Sequence, residues 1–254
     1  MRYKDLYVQL FLREIGMAYK GSFLGIFWAI VSPLVMLSIY SIAFGYFLKS
    51  AWPNSKENFT LMLFSGLIVF NLFSECLNKS SNLIVGNSNY VKKVVFPIEI
   101  MGVVLLGGAL FHFLLSFIAW ISLALIMNES IQLTILWVPI ILLPFCLLTL
   151  GLVWIVSSLG VFLRDISQII SMLMQGLIFL SPVFFPINNL PEWAKWIVLM
   201  NPPSFIILEM RRVMVEGLSP NFLGLIIYCI FSVFIFLLGY FIVNKLKSGF
   251  ADVL

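Results

Sequence analysis

Few side chains in this 254-residue chain could do acid-base or metal chemistry, and several sit where such chemistry is costly. His112 is the single histidine and lies inside a long apolar run; Glu75 and Glu99 lie near the ends of two others, within reach of Lys79 and Lys93. Acidic or histidine residues persist at membrane depth mainly for proton or ion relay, because burying them in lipid is expensive. One imidazole and two carboxylates that can pair with lysines make no acidic ladder. His112 is therefore read as a neutral ring hydrogen-bonded between helices, ahead of a relay. Arg164 and Asp165 stand between two apolar runs, where a turn cap or salt bridge fits as well as catalysis. A membrane enzyme would need clustered carboxylates or a nucleophile with its base, and neither is visible. Cys76, Cys146 and Cys229 have no C-x-x-C spacing and no ligand-type neighbours, so they read as small hydrophobes in packed helices. The phosphate-binding pattern G-x-x-x-x-G-K-[ST] is missing, which assigns any use of ATP to another chain.

The elements that position these residues follow from composition. Hydrophobic residues make up 62% of the chain and charged residues 10%, with mean hydropathy +1.09; a soluble domain carries about 25% charged residues. The chain is an all-α polytopic membrane protein. Uncharged runs at about 23–48, 59–78, 100–127, 131–163, 166–187 and 221–243 are each long enough to cross a hydrocarbon core of ~30 Å as a helix. Six spans place both termini on one side. With that side cytoplasmic, it holds ten of the fifteen Lys and Arg, as the positive-inside rule requires. The basic residues are scattered over span flanks, which speaks against nucleic acid as a partner.

Outside the spans, three segments stand out. Tyr3, Leu6, Tyr7, Leu10, Phe11 and Ile15 share one half of a helical projection opposite Arg2, Asp5, Gln9 and Arg13. Residues 1–22 thus read as an amphipathic helix in the cytoplasmic interface, not a cleaved leader, since the apolar run that follows is too long for one. Residues 83–97 place Lys92 and Lys93 among Tyr90, Val91, Val94, Val95 and Phe96 and stop at Pro97. A loop obeying only the charge rule needs no such apolar set, so a short helix or extended piece that docks a protein is expected. Residues 190–216 split at Asn201-Pro202-Pro203 into two apolar halves too short to span, a re-entrant hairpin on the outer face. Trp193 and Trp196 suit headgroup depth, and the end holding Glu209, Arg211, Arg212 and Glu216 is expected to be wet.

Aromatic residues reach 16% of the chain. Aromatic faces against the C–H faces of sugars, with hydroxyls and amides exchanging hydrogen bonds, make a surface along which a carbohydrate chain can slide. Trp28, Ser32, Tyr40 and Phe44 in the first span, with Ser171 and Gln175 in the fifth, suit such a wall. Ser167, Ser171 and Gln175 recur every fourth residue and mark one polar helix face.

These features, in order, resemble the permease subunits of type-2 ABC exporters of O-antigen, capsular and teichoic-acid polysaccharides. The resemblance is carried by Tyr19-Lys20-Gly21-Ser22 through Gly25 to Trp28, by Ser32-Pro33-Leu34, by Val91-Lys92-Lys93 through Phe96-Pro97, by Phe162-Leu163-Arg164-Asp165, by Ser181-Pro182-Val183 and by Met200-Asn201-Pro202. It covers nearly the whole length. One departure is Met101-Gly102, where the family often has a second proline, which leaves the following helix start open. The resemblance implies a homodimer in the bacterial inner membrane, joined by two copies of an ATPase that binds ATP and Mg, with no cofactor on this chain. The substrate it implies is a polysaccharide, O-antigen foremost, on a polyprenyl pyrophosphate; capsular or teichoic-acid polymers are the alternatives. It also implies that Tyr90, Val91, Lys92, Lys93, Val94, Phe96 and Pro97 dock the ATPase, with Arg164 and Asp165 in a cytoplasmic turn. Arg13 and Lys20 would border the point where substrate enters, and Trp193, Trp196, Asn201, Pro202 and Arg211 would belong to a periplasmic gate. Outside this class stand an ion-driven lipid flippase and a membrane-embedded transferase.

Overall fold

A computed structural model describes residues 2–19, 21, 23, 25–40, 42–43, 59–88 and 97–253. Among them the regular elements are all helical. They run α1 (Arg2–Tyr19), α2 (Trp28–Tyr40), α3 (Phe59–Ser80), α4 (Glu99–Ile126), α5 (Val138–Phe162), α6 (Ile166–Phe179), α7 (Glu192–Met200), α8 (Ser204–Met214) and α9 (Phe222–Val253), with short 3₁₀ turns between some of them.

Among the described residues, four segments are long and apolar enough to cross a membrane: Phe59–Ser80, Glu99–Ile126, Leu133–Phe162 and Phe222–Phe250. They match the second, third, fourth and sixth predicted spans within a few residues at most boundaries, and α9 runs past the predicted end of the sixth span to Val253. Helices α3, α5 and α9 run in one direction and α4 in the other. At one end Lys247 of α9 pairs with Glu99 of α4 at 2.9 Å, and Phe250 meets Phe162 at the end of α5. At the other, the Trp120 indole donates to the Leu61 carbonyl at 3.0 Å, and Trp137 sits edge-on to Phe222.

Helix α3 is apolar nearly all round and forms the centre of the bundle, as such a sequence must. Its Phe73 stacks on Phe145 of α5, and Leu63, Ile68 and Leu72 are fully buried. Helices α5 and α9 touch backbone to backbone: a Cβ on Gly151 would lie 2.5 Å from the Ile235 carbonyl oxygen, and one on Gly239 would meet the Gly151 carbonyl. Small residues at such a crossing let membrane helices gain dispersion contact that larger ones forbid.

The fifth predicted span contains a shorter helix than expected, and the described part of the first holds α2. Helices α2 and α6 have 13 and 14 residues, roughly 20 Å at 1.5 Å per residue. The sequence places Pro182 three residues beyond Phe179, and its ring denies the chain an amide and disfavours helix in the residue before it. The hydropathy of 166–187 stays high across that break, so an averaged profile does not register it.

Candidate functional site

Helix α3 carries Asn71, Glu75 and Lys79 at four-residue spacing, which lines them up on one face. That face meets α4 and α2 around a cavity of about 360 Å³ whose polar rim is Ser32, Asn71, Glu75, His112 and Ser116, with Trp28 contributing its ring. His112 is not alone there. Its Nδ1 lies 2.8 and 2.9 Å from the two carboxylate oxygens of Glu75, and Lys79 donates to Glu75 Oε1 at 2.8 Å. An ionised carboxylate only accepts, so Nδ1 carries the hydrogen. Lys79 also reaches Glu14 of α1 at 3.6 Å, so charge contacts run from the cavity to the first helix. The expected Glu75–Lys79 pair is present; the His112 link to it was not foreseen.

Helix α1 packs its apolar side on α4, where Leu10 is buried and Tyr7 and Phe11 approach Gly107. Arg13 donates to Asn87 at 3.4 Å, in the turn that leads from α3 towards the predicted docking segment. Of that segment, Pro97 is described and its carbonyl accepts the Ile100 amide at the start of α4, fixing the boundary left open by Met101-Gly102 at Glu99. Tyr90, Val91, Lys92, Lys93, Val94 and Phe96, like Lys20 and Phe44, lie outside the described residues.

The expected wall residues fall on two separate helices. Trp28 and Ser32 on α2 are exposed, and Tyr40 sits edge-on to Phe184 at 5.3 Å. On α6, Ser167 and Ser171 are half-buried while Gln175 is exposed beside Met172 and Leu173; Ile170 and Met174 face inward. Arg164 and Asp165 form the exposed turn between α5 and α6, and the Asp165 carbonyl accepts the Gln168 and Ile169 amides of the first α6 turn.

The residues expected at a periplasmic gate divide in two. Trp193 and Trp196 project outward on α7, 70% and 68% exposed. Asn201 and Arg211 point inward. The Asn201 amide donates to the Leu177 carbonyl at 3.2 Å and to Ser181 Oγ at 2.8 Å, and Ser181 donates to the same carbonyl at 2.6 Å, so the helix break at Ser181-Pro182 is tied to the Asn201-Pro202 turn. The expectation that the far end of α8 is wet holds for Glu216, which is exposed, and in part for Arg212, but needs correction at Glu209 and Arg211. Arg211 is 3% exposed and donates to the Met62 carbonyl at 3.1 Å and the Val183 carbonyl at 2.6 Å. Glu209 is buried too and accepts the Asn221 amide at 2.8 Å, ahead of α9. Burial pushes the Arg211 guanidinium down to about 9, which leaves it charged at neutral pH, and pushes the Glu209 carboxyl up. The missed signal is periodicity: Arg211 shares a face with Ile207 and Met214, both buried.

The sequence matches the model of the ABC-2 type transporter family over residues 5–215. Among curated relatives, the O-antigen export system permease protein RfbA of Klebsiella pneumoniae is 29% identical over 98% of this chain and 95% of its own length. The RfbA protein of Myxococcus xanthus is 25% identical over 87% and 84% of the two chains. The polysialic acid transport protein KpsM of Escherichia coli is 30% identical over 85% of each. This helical chain, with its inward-turned α8 and its polar cavity, belongs to the ABC-2 type transporter family.

Proposed function

We propose that the chain is the membrane permease of an ATP-driven exporter that carries a lipid-linked polysaccharide, O-antigen on a polyprenyl pyrophosphate, across the bacterial inner membrane. The observation that carries this reading is the similarity to O-antigen export permeases along almost the entire length of both chains. In this reading α2 and α6 are the cores of two further spans, giving six and leaving both termini cytoplasmic. Support for α6 comes from the buried stretch Ser181, Pro182, Val183 and Phe184 that follows it, since non-helical backbone is tolerated at membrane depth when protein covers it. The end of the bundle that holds α1, Lys79, Arg164 and Lys247 then faces the cytoplasm.

Two copies of the chain would set the outward sides of α2 and α6 around a path for the polymer. Trp28, Phe44 and Tyr40 offer stacking faces; Ser32, Ser171 and Gln175 offer hydrogen bonds that exchange as sugars pass. Arg13 and Lys20 would meet the carrier's pyrophosphate, and Trp193 and Trp196 would anchor the outer gate. The work comes from two copies of an ATPase, with ATP and Mg on that partner, docked through residues 83–97. Changing Lys92 and Lys93 together to Glu is expected to abolish export while ATP hydrolysis and membrane insertion persist. Normal surface polysaccharide in that double variant removes the docking assignment. The His112–Glu75 pair favours one rival, an ion-driven flippase, for which export survives loss of the ATPase and collapses with the proton gradient.

A further inference from the structure

The geometry points to the cavity between α2, α3 and α4 as a binding subsite for a single uncharged sugar ring within each subunit, sharing Trp28 and Ser32 with the α2 wall and adding Asn71, Glu75 and Ser116 behind it. The inference rests on the export reading for the presence of sugars, and on the cavity's own chemistry for the rest. Asn71 is exposed to the cavity in the middle of a helix whose neighbouring positions, Phe70 and Leu72, are buried. Among the described residues nothing hydrogen-bonds its carboxamide, nor the hydroxyls of Ser32 and Ser116 or the Trp28 indole N–H. Polar groups held at membrane depth without protein partners are costly, and they persist where a ligand or water path uses them.

The kind of ligand follows from what the groups offer. An amide, two hydroxyls and an indole N–H supply both donors and acceptors, and Glu75 adds strong acceptors held in place by His112 and Lys79. Vicinal hydroxyls need that mixture, and Trp28 adds an aromatic face for the apolar side of a pyranose. A cavity of about 360 Å³ holds one ring and not a polymer. Charge narrows the choice further. With His112 as a neutral ring, Glu75 and Glu14 share the one charge of Lys79, and a net negative cluster disfavours phosphates and acidic sugars.

The test uses the full chain in lipid nanodiscs, titrated with methyl glucoside, N-acetylglucosamine and glucuronate, with binding read by saturation-transfer NMR. Saturable binding of one or both neutral sugars is expected, with glucuronate weaker by about tenfold or more, and Asn71→Leu or Ser116→Ala weakening the neutral sugar by about tenfold and threefold. Ser116→Ala removes one oxygen and guards against a misfolded Asn71 variant. No saturable neutral-sugar binding by the wild type, equal binding of glucuronate, or full binding by both variants overturns the subsite. Surface polysaccharide measured in cells separates the two readings: export without sugar binding in the cavity ends the subsite alone, whereas loss of the chain without effect on export ends the export reading.

Discussion

Two polar clusters interrupt the apolar interior, one towards each end of α3, and they are built on opposite plans. Near Met62, Arg211 is sealed in and spends its guanidinium on the carbonyls of Met62 and Val183, joining α8, α3 and the chain after α6. Near Glu75, the carboxylate, imidazole and ammonium pair with one another beside a cavity, and Asn71 and Ser116 look into that cavity unbonded. The first gives its donors to backbone carbonyls across a junction of three segments. The second leaves capacity over. A charge of the first kind is a brace, and a polar group of the second kind is a place where something else binds.

Substitutions can break this contrast. Arg211→Ala would take one donor each from the Met62 and Val183 carbonyls and leave a void; a loss of about 3 kcal/mol is expected, read as a fall in thermal midpoint and in membrane abundance. Asn201→Ala, which removes the amide that ties the Leu177 carbonyl and Ser181 Oγ to the turn after α7, is expected to cost about 2 kcal/mol by the same measurement. Glu75→Gln keeps an acceptor for His112 and should change stability by less than about 1 kcal/mol while cutting export strongly; equal damage to stability and export would make it another brace. Trp28→Ala and Tyr40→Ala are expected to slow export more than Phe234→Ala on the outer face of α9, with little change in stability for Trp28 or Phe234, both exposed. Equal export from all three would reduce the aromatic wall to packing.

Much of the fold was legible because a bilayer imposes one strong rule, a run of about 20 apolar residues per helical crossing, and α3, α4, α5 and α9 obey it. What hydropathy could not register was local. Pro182 ends α6 without lowering the apolar average, and Arg211 reads as a surface charge unless its shared face with Ile207 and Met214 is weighed. The cavity cluster joins His112 to Glu75 across 37 positions on two helices, and no spacing within one helix encodes which faces meet. The four-residue spacing of Asn71, Glu75 and Lys79 was the one local sign of it. The start of α2 was hidden for a related reason, since Gly25, at φ 53°, lies inside a run whose hydropathy alone reads as continuous helix.

The central claim is tested most directly by reconstituting the chain with its ATPase in sealed vesicles loaded on one leaflet with lipid-linked O-antigen. The fraction of polymer that becomes protected from an added glycosidase is then measured. Protection that needs ATP, this chain and an ATPase able to hydrolyse is the predicted result. Protection that proceeds without the ATPase under a proton gradient, or polymer left fully accessible with all components active, would contradict it.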